Sequence, residues 1–86
     1  MYSIQIRRKA LKEIKSLPSP YKQKIITAIE ELANNPRPIG CRKLKANEEL
    51  YRIRVGDYRV LYNVEDKIKI VEITKAGHRK DIYKRN

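Results

Sequence analysis

Residues 51–60, YRIRVGDYRV, leave little choice of local structure. Tyr51, Ile53 and Val55 alternate with Arg52 and Arg54, Gly56-Asp57 interrupts, and Tyr58 and Val60 resume the apolar alternation. Period-two alternation marks a half-buried strand. A two-residue turn containing glycine joins two such strands into a hairpin, because glycine accepts the positive φ that the turn needs. Counting outward sets Val55 against Tyr58, Arg54 against Arg59, Ile53 against Val60 and Arg52 against Leu61. The apolar side chains then share one face, and Arg52, Arg54 and Arg59 share the other. Like charges directly opposite, as in Arg54 and Arg59, are destabilising. Uncompensated charge of this kind is expected at functional sites more than elsewhere.

The flanking sequence supplies the rest of an α+β fold. YSIQI, residues 2–6, alternates as a strand with Tyr2, Ile4 and Ile6 on one side. RRKALKEIKSL spaces Leu11, Ile14 and Leu17 by threes with Ala10 beside them, a short amphipathic helix ended by Pro18 and Pro20. Ser19 can cap a second helix, and Pro20 suits its first position, where no amide hydrogen is needed. Tyr21, Ile25, Ile29 and Leu32 mark one face of that helix to about Asn34. Only PSP separates the two helices, so an antiparallel helical hairpin is expected. After the loop NNPRPIG and the patternless CRKLKANEE come three strands, about 50–55, 58–64 and 67–74, the last two joined at Glu65-Asp66. Pairing from that second turn sets Leu61 against Ile70 and Arg59 against Glu72.

The order β-α-α-β-β-β over 86 residues predicts a single small domain spanning residues 1–86. Its antiparallel sheet would be covered on one face by the helical hairpin, packed on Ile4, Ile6, Ile53, Val55, Val60, Val71 and Ile73. The arginine face would have no helix over it. The tail, KAGHRKDIYKRN, begins as a loop at Ala76-Gly77, with a short helical turn expected near Asp81–Lys84.

Charge narrows the partners. Lys and Arg total 21 against 10 Asp and Glu, a formal net charge of +11. Self-repulsion on this scale lowers stability, and a polyanion relieves it. Nucleic acid leads, through phosphate neutralisation and counterion release. An acidic protein comes second and an anionic membrane surface third; a solvated basic surface is the blandest alternative. Lys43 and Lys45, in the loop before the hairpin, add cations for RNA contact. The single cysteine, Cys41, excludes an intramolecular disulfide and fits a reducing cytosol. MYSIQIRRK lacks the apolar run of a signal peptide and nothing later could span a membrane, so a cytoplasmic location is expected.

Most catalytic chemistries find no residues here. One histidine and one cysteine do not make a zinc site of the usual ligand sets. There is no glycine-rich phosphate loop and no paired-carboxylate signature. The serines, Ser3, Ser16 and Ser19, lie in the first strand and the helical hairpin, which argues against a Ser-His-Asp triad. No metal or cofactor is expected.

Converging guanidinium groups on an uncovered face do make an anion site, since arginine stays charged and its planar fork matches phosphate. A backbone phosphate would offset the repulsion between Arg54 and Arg59. The competing reading pairs Glu72 with Arg59 and sends the other arginines into water. His78, the sole histidine, follows the last strand in the Gly77 loop, from which it could swing over the arginine face. Imidazole suits proton transfer near neutrality, although a plain surface histidine is the commoner case. Tyr83 could act as acid or base if nearby cations lowered its pKa, or else pack on the sheet edge or stack on a nucleobase. A nuclease built from these groups needs no metal. The RNA 2′-hydroxyl would attack the adjacent phosphate, and the arginines would stabilise the charge of the phosphorane.

The chain resembles the RelE-type toxins of the RelE/ParE toxin–antitoxin superfamily. The resemblance runs from ALKEIKSLP through ELANNPRP and KLKANEELYRIRVGDYRVLYNV to ITKAGHRKDIY, and LYRIRVGDYRVLY with HRKDIY is its most specific part. It implies a RelE-like α/β fold, a cognate acidic antitoxin, and cleavage of mRNA in the A site of the small ribosomal subunit. By position, Arg52 and Arg54 stand where the family carries basic strand residues, and Arg59 matches the arginine that contacts the scissile phosphate. Tyr83 matches a tail tyrosine implicated in proton transfer. His78 lies in the GHR segment, where relatives place a catalytic histidine or an arginine, and Arg79 is the next candidate there. Tyr83 and His78 both qualify as general base. ParE-type toxins share the fold and poison DNA gyrase without cutting RNA. They usually lack the full set of Arg52, Arg54, Arg59, His78 and Tyr83, which favours the ribonuclease.

Overall fold

The computed structural model describes residues 1–44 and 50–82. Strand β1 (Ser3–Ile6) leads into helices α1 (Arg8–Lys15) and α2 (Ser19–Glu31), followed by β2 (Arg42–Lys43), β3 (Leu50–Val55), β4 (Tyr58–Glu65) and β5 (Ile70–His78). The spatial order of the sheet is β1-β5-β4-β3-β2. β2 to β5 form an antiparallel meander that starts at the far edge and returns β5 to lie beside β1. β1 and β5 pair in parallel, Ser3 with Ile70 through Ile6 with Ile73. The sheet is therefore antiparallel except at this edge. β2, two residues long and basic, is an addition to the expected strands; a short charged edge strand discourages pairing with another chain.

The helical hairpin covers one face, with α1 over β5 and α2 over β3. Ile25 and Ile29 of α2 and Leu32 at its C-terminal cap are at most 3% exposed and pack with Ile53, Val60, Tyr62, Val64, Val71 and Ile73. Burying each such side chain is worth about 1.5–3 kcal/mol. In α1 the buried pair is Ala10 and Ile14, whereas Leu11 is exposed. Pro18 takes the cap position of α2, Ser19 opens the helix without a side-chain cap bond, and the Lys22 amide donates to the Pro18 carbonyl. Two of the expected core residues are less covered than the alternation of β1 implies: Ile4 is half-buried and Ile6 is exposed. β1 is an edge strand, and the helices reach only part of its face. Beyond Ile73, where β1 stops, the Ala76 amide donates to a carboxylate oxygen of Glu13 on α1 at 3.0 Å.

The first hairpin has the register counted from its turn, including Arg54 against Arg59, with Gly56 at φ +60°. The second hairpin differs. Glu65 pairs with Ile70, so residues 66–69 form a four-residue turn, with Lys69 at φ +55°. Tyr62 pairs with Ile73 but Leu61 with Lys75, leaving Thr74 as the extra residue of a bulge. Its hydroxyl donates to the Leu61 carbonyl at 3.2 Å. An extra residue inverts the inward and outward alternation beyond it. Val71 and Ile73 face the core before the bulge and Ala76 faces it after. Arg59 consequently lies opposite Gly77, and Glu72 pairs with Asn63 instead.

Candidate nucleic-acid interface

The face away from the helices is basic across its strands. Arg52 and Arg54 of β3 and Arg59 of β4 share it, as the alternation requires. The register adds Arg42, paired with Arg52 on β2, and Lys75, paired with Leu61 on β5. Both were missed in the sequence: Arg42 because a two-residue strand has no period, and Lys75 because the bulge is invisible there. Lys43 pairs with Tyr51, a core residue, so it leaves β2 on the opposite face from the arginines. Lys45 lies outside the described residues.

Hydrogen bonds show how the sheet tolerates Arg54 beside Arg59. The Arg59 side chain turns back along the hairpin, where Nη1 donates to the carbonyls of Gly56 and Tyr58, both at 2.9 Å. Glu72 does not take part. Its carboxylate receives Arg7, with Nε 3.1 Å from Oε2 and Nη2 3.2 Å from Oε1, and Asn63 donates weakly at 3.4 Å. The Arg7 guanidinium holds the Glu72 carboxyl below its usual range. Arg52 is half-buried, and its Nε has no hydrogen-bond partner. A buried donor without an acceptor costs free energy and calls for an explanation.

The tail reaches this face through Ile82. After His78 the chain turns, the amides of Asp81 and Ile82 donating to the His78 carbonyl. Ile82 is 2% exposed, and its Cδ1 lies 3.7 Å from where a Cβ on Gly77 would stand. Gly77 is the residue opposite Arg59. The described turn spans residues 79–82; the rest of the helical turn expected near Asp81–Lys84, Tyr83 included, lies outside the described residues. The Arg79 amide donates to the Asp57 carbonyl at 2.8 Å, and its guanidinium lies 3.8 Å from the Asp57 carboxylate, which ties the tail to the first hairpin turn.

His78 is not on the arginine face. It pairs with Tyr58, whose ring faces the helices, and the two rings meet edge to face at 5.6 Å. Tyr21 of α2 also contacts Tyr58, with ring centroids 4.9 Å apart. The His78 Nδ1 accepts the Lys80 amide at 3.1 Å. The bulge at Thr74 causes this: uninterrupted alternation from Ile73 would have sent residue 78 to the arginine side.

A second cluster, unanticipated in the sequence, fastens the loop before β2. Arg37 reaches the Tyr51 hydroxyl at 2.9 Å and both Asp66 carboxylate oxygens at 3.1 and 2.8 Å. Tyr2 donates to Asp66 at 2.6 Å. Arg37 and Tyr2 together hold the Asp66 carboxyl down to about 2. Beneath them the buried Tyr62 hydroxyl donates to the Pro36 carbonyl at 2.7 Å, and burial pushes its pKa up.

Comparison with known proteins agrees with this architecture. The ParE toxin family of type II toxin–antitoxin systems matches residues 4–83. The chain is a RelE-type toxin of the RelE/ParE superfamily. A Methanocaldococcus jannaschii protein that bears the toxin name RelE1 is 35% identical over 86 residues, covering 96% of each chain. The archaeal RelE–RelB complex of Pyrococcus horikoshii superposes with a TM-score of 0.82 at 32% identity, over 93% of this chain and 97% of that one. The intact Escherichia coli RelBE toxin–antitoxin complex gives 0.79 at 26% identity, over 91% and 96%. This toxin thus has the RelE-like α+β fold.

Proposed function

We propose that this toxin, a single domain, is a ribosome-dependent, metal-independent endoribonuclease that cuts mRNA in the A site of the small subunit. One observation carries the reading: Arg54 stands opposite Arg59 on the sheet face that the tail reaches through Ile82. The RNA 2′-oxygen attacks the adjacent phosphorus, the bond to the 5′-oxygen breaks, and a 2′,3′-cyclic phosphate is left. Arg52, Arg54 and Arg59 stabilise the charge gathering on the phosphorane oxygens, an interaction stronger in the transition state than in the ground state. An arriving phosphate also gives Arg52 a reason to reorient and relieve its unpartnered Nε. A base must take the 2′-hydroxyl proton and an acid must protonate the leaving oxygen. The position of His78 on the opposite face favours Tyr83 for proton transfer, with Arg79 as an outer cation. Arg59→Ala should leave the fold intact and abolish toxicity. Primer extension on a defined mRNA in a purified translation system tests this: ribosome-dependent A-site cuts that vanish in the variant support the site, and undiminished cutting rejects it.

The family match to ParE toxins supports a second reading, a gyrase poison without nuclease activity. Intact mRNA together with inhibited supercoiling would establish that reading instead.

The partner under this proposal is an acidic antitoxin, since related toxins are seen in complexes with RelB. A groove of about 430 Å³ between β1, α1 and α2 suits an amphipathic helix. Ile4, Ile6, Leu11 and Ile26 supply its apolar wall, and Lys15 and Lys22, against the single carboxylate of Glu30, leave it net positive toward acidic residues. Leu11→Asp should weaken the complex at least tenfold. Unchanged affinity by titration calorimetry would place the antitoxin elsewhere.

A further inference from the structure

Among the described residues two groups of aromatic rings are in contact, used differently. Tyr51 and Tyr62 stack at 5.8 Å inside the core, 8% and 0% exposed, with their hydroxyls held by Arg37 and by the Pro36 carbonyl. That pair is structural. Tyr21, Tyr58 and His78 instead form a row at the end of the sheet, with centroid spacings of 4.9 and 5.6 Å. The row grows less buried outward. Tyr58 and His78 are half-buried, and Tyr21 is 42% exposed at the start of α2. Core packing accounts for the half-buried Tyr58 but not for an aromatic ring as exposed as Tyr21.

Two arginines lie at the hairpin tip beside this row. Arg59 follows Tyr58 directly, and its guanidinium lies at the Gly56 and Tyr58 carbonyls, at the hairpin tip. Arg79 follows His78 and is fastened to Asp57 of the same turn. Phosphate-binding groups on one face of the hairpin tip and rings on the other are joined through a single turn. Single-stranded RNA is held by this combination, with the backbone tracked by cations and unstacked bases laid on aromatic faces.

We propose that the Tyr21–Tyr58–His78 row is a stacking platform for an unpaired nucleobase of the RNA strand, with Tyr21 as the ring that the base covers. The proposal rests on the ribonuclease reading and extends it to a site on the opposite face of the sheet. The strand lies with a phosphate on Arg54 and Arg59, rounds the hairpin tip, and sets a nearby base against Tyr21. Every nucleobase has a π face, so the platform contributes affinity and register with little base preference.

The test uses the full-length toxin on ribosomes programmed with mRNA carrying 2-aminopurine at single positions flanking the cut. A 2′-deoxy sugar at the scissile position blocks cleavage. Stacking quenches 2-aminopurine fluorescence, and a purely structural role for Tyr21 does not produce this signature. Wild type and Tyr21→Phe should quench at one position, and Tyr21→Ala should not. With the matching ribose mRNA, Tyr21→Ala should raise KM by roughly tenfold with kcat unchanged, and Tyr21→Phe should restore it. Tyr21→Ala that quenches and cuts like wild type overturns the proposal. Wild type that cuts ribose mRNA yet quenches at no position also overturns it and leaves the ribonuclease reading standing. Wild type that cuts no mRNA removes the ribonuclease reading and this proposal with it.

Discussion

Replacing Tyr62 with phenylalanine removes one oxygen atom from the centre of the protein and has two calculable consequences. The Tyr62 ring is 0% exposed, and its hydroxyl donates at 2.7 Å to the carbonyl of Pro36. Phenylalanine keeps the ring and its stacking on Tyr51 but leaves that carbonyl without its donor. A buried acceptor without a partner costs about 1–3 kcal/mol. For a domain of this size each kcal/mol lowers Tm by ~4–8 °C, so thermal unfolding followed by circular dichroism should show a clear fall at neutral pH. The second consequence concerns alkaline pH. Burial raises the folded-state pKa of Tyr62 above the ordinary tyrosine value of 10.0. The unfolded chain releases this proton above pH 10 while the folded chain retains it. Stability linked to the group is therefore full below pH 10 and declines as pH rises, by up to about 1.4 kcal/mol per pH unit. Tyr62→Phe lacks that loss, so the gap between variant and wild type should narrow above pH 10. A variant Tm within about 2 °C of wild type at pH 7 would refute the claim that this hydrogen bond pins the loop before β2.

Two further substitutions test the charged parts of the fold. Arg54→Thr removes the repulsion with Arg59 and places a good strand former at an exposed position, so urea denaturation at low salt should show a gain of about 0.2–1 kcal/mol while mRNA cleavage falls; a loss of stability would contradict this account of the arginine face. The Asp66 carboxyl is held to about 2, below its ordinary value of 3.8, so the stability it lends is present above 3.8 and is lost as pH falls toward 2. Asp66→Asn should flatten the acid limb of unfolding in that window, and an unchanged limb would mean that the Arg37 contact does not persist in solution.

Much of the fold is legible in the sequence because it is encoded locally. A two-residue turn leaves one register for the first hairpin, and that register alone sets Arg54 against Arg59. The helical spacing of Ile25, Ile29 and Leu32 likewise marks the core face of α2. The second hairpin shows where local counting stops. Its turn has four residues and β5 carries an extra one at Thr74, so Arg59 faces Gly77 and not Glu72. Nothing in KIKIVEITKAGH announces the bulge, because what stabilises it lies elsewhere in the chain. Glu13 of α1 takes the Ala76 amide, and the core accepts Ile73 and Ala76 on the same side.

The candidate site divides along the same line. The sequence alone determined the chemistry available: a strongly basic chain, arginines set on one side of a hairpin, and a histidine and a tyrosine in the tail. Tertiary structure decided which of them meet. Pairing across β2 brought Arg42 beside Arg52 and turned Lys43 away. The bulge carried Gly77 to the arginine face, where Ile82 covers it, and moved His78 to join Tyr58 and Tyr21 on the other. The physical reason is the two-residue period of a strand. Residue identity sets what a side chain can do, but its face depends on every pairing between it and the nearest fixed turn, and one inserted residue reverses it.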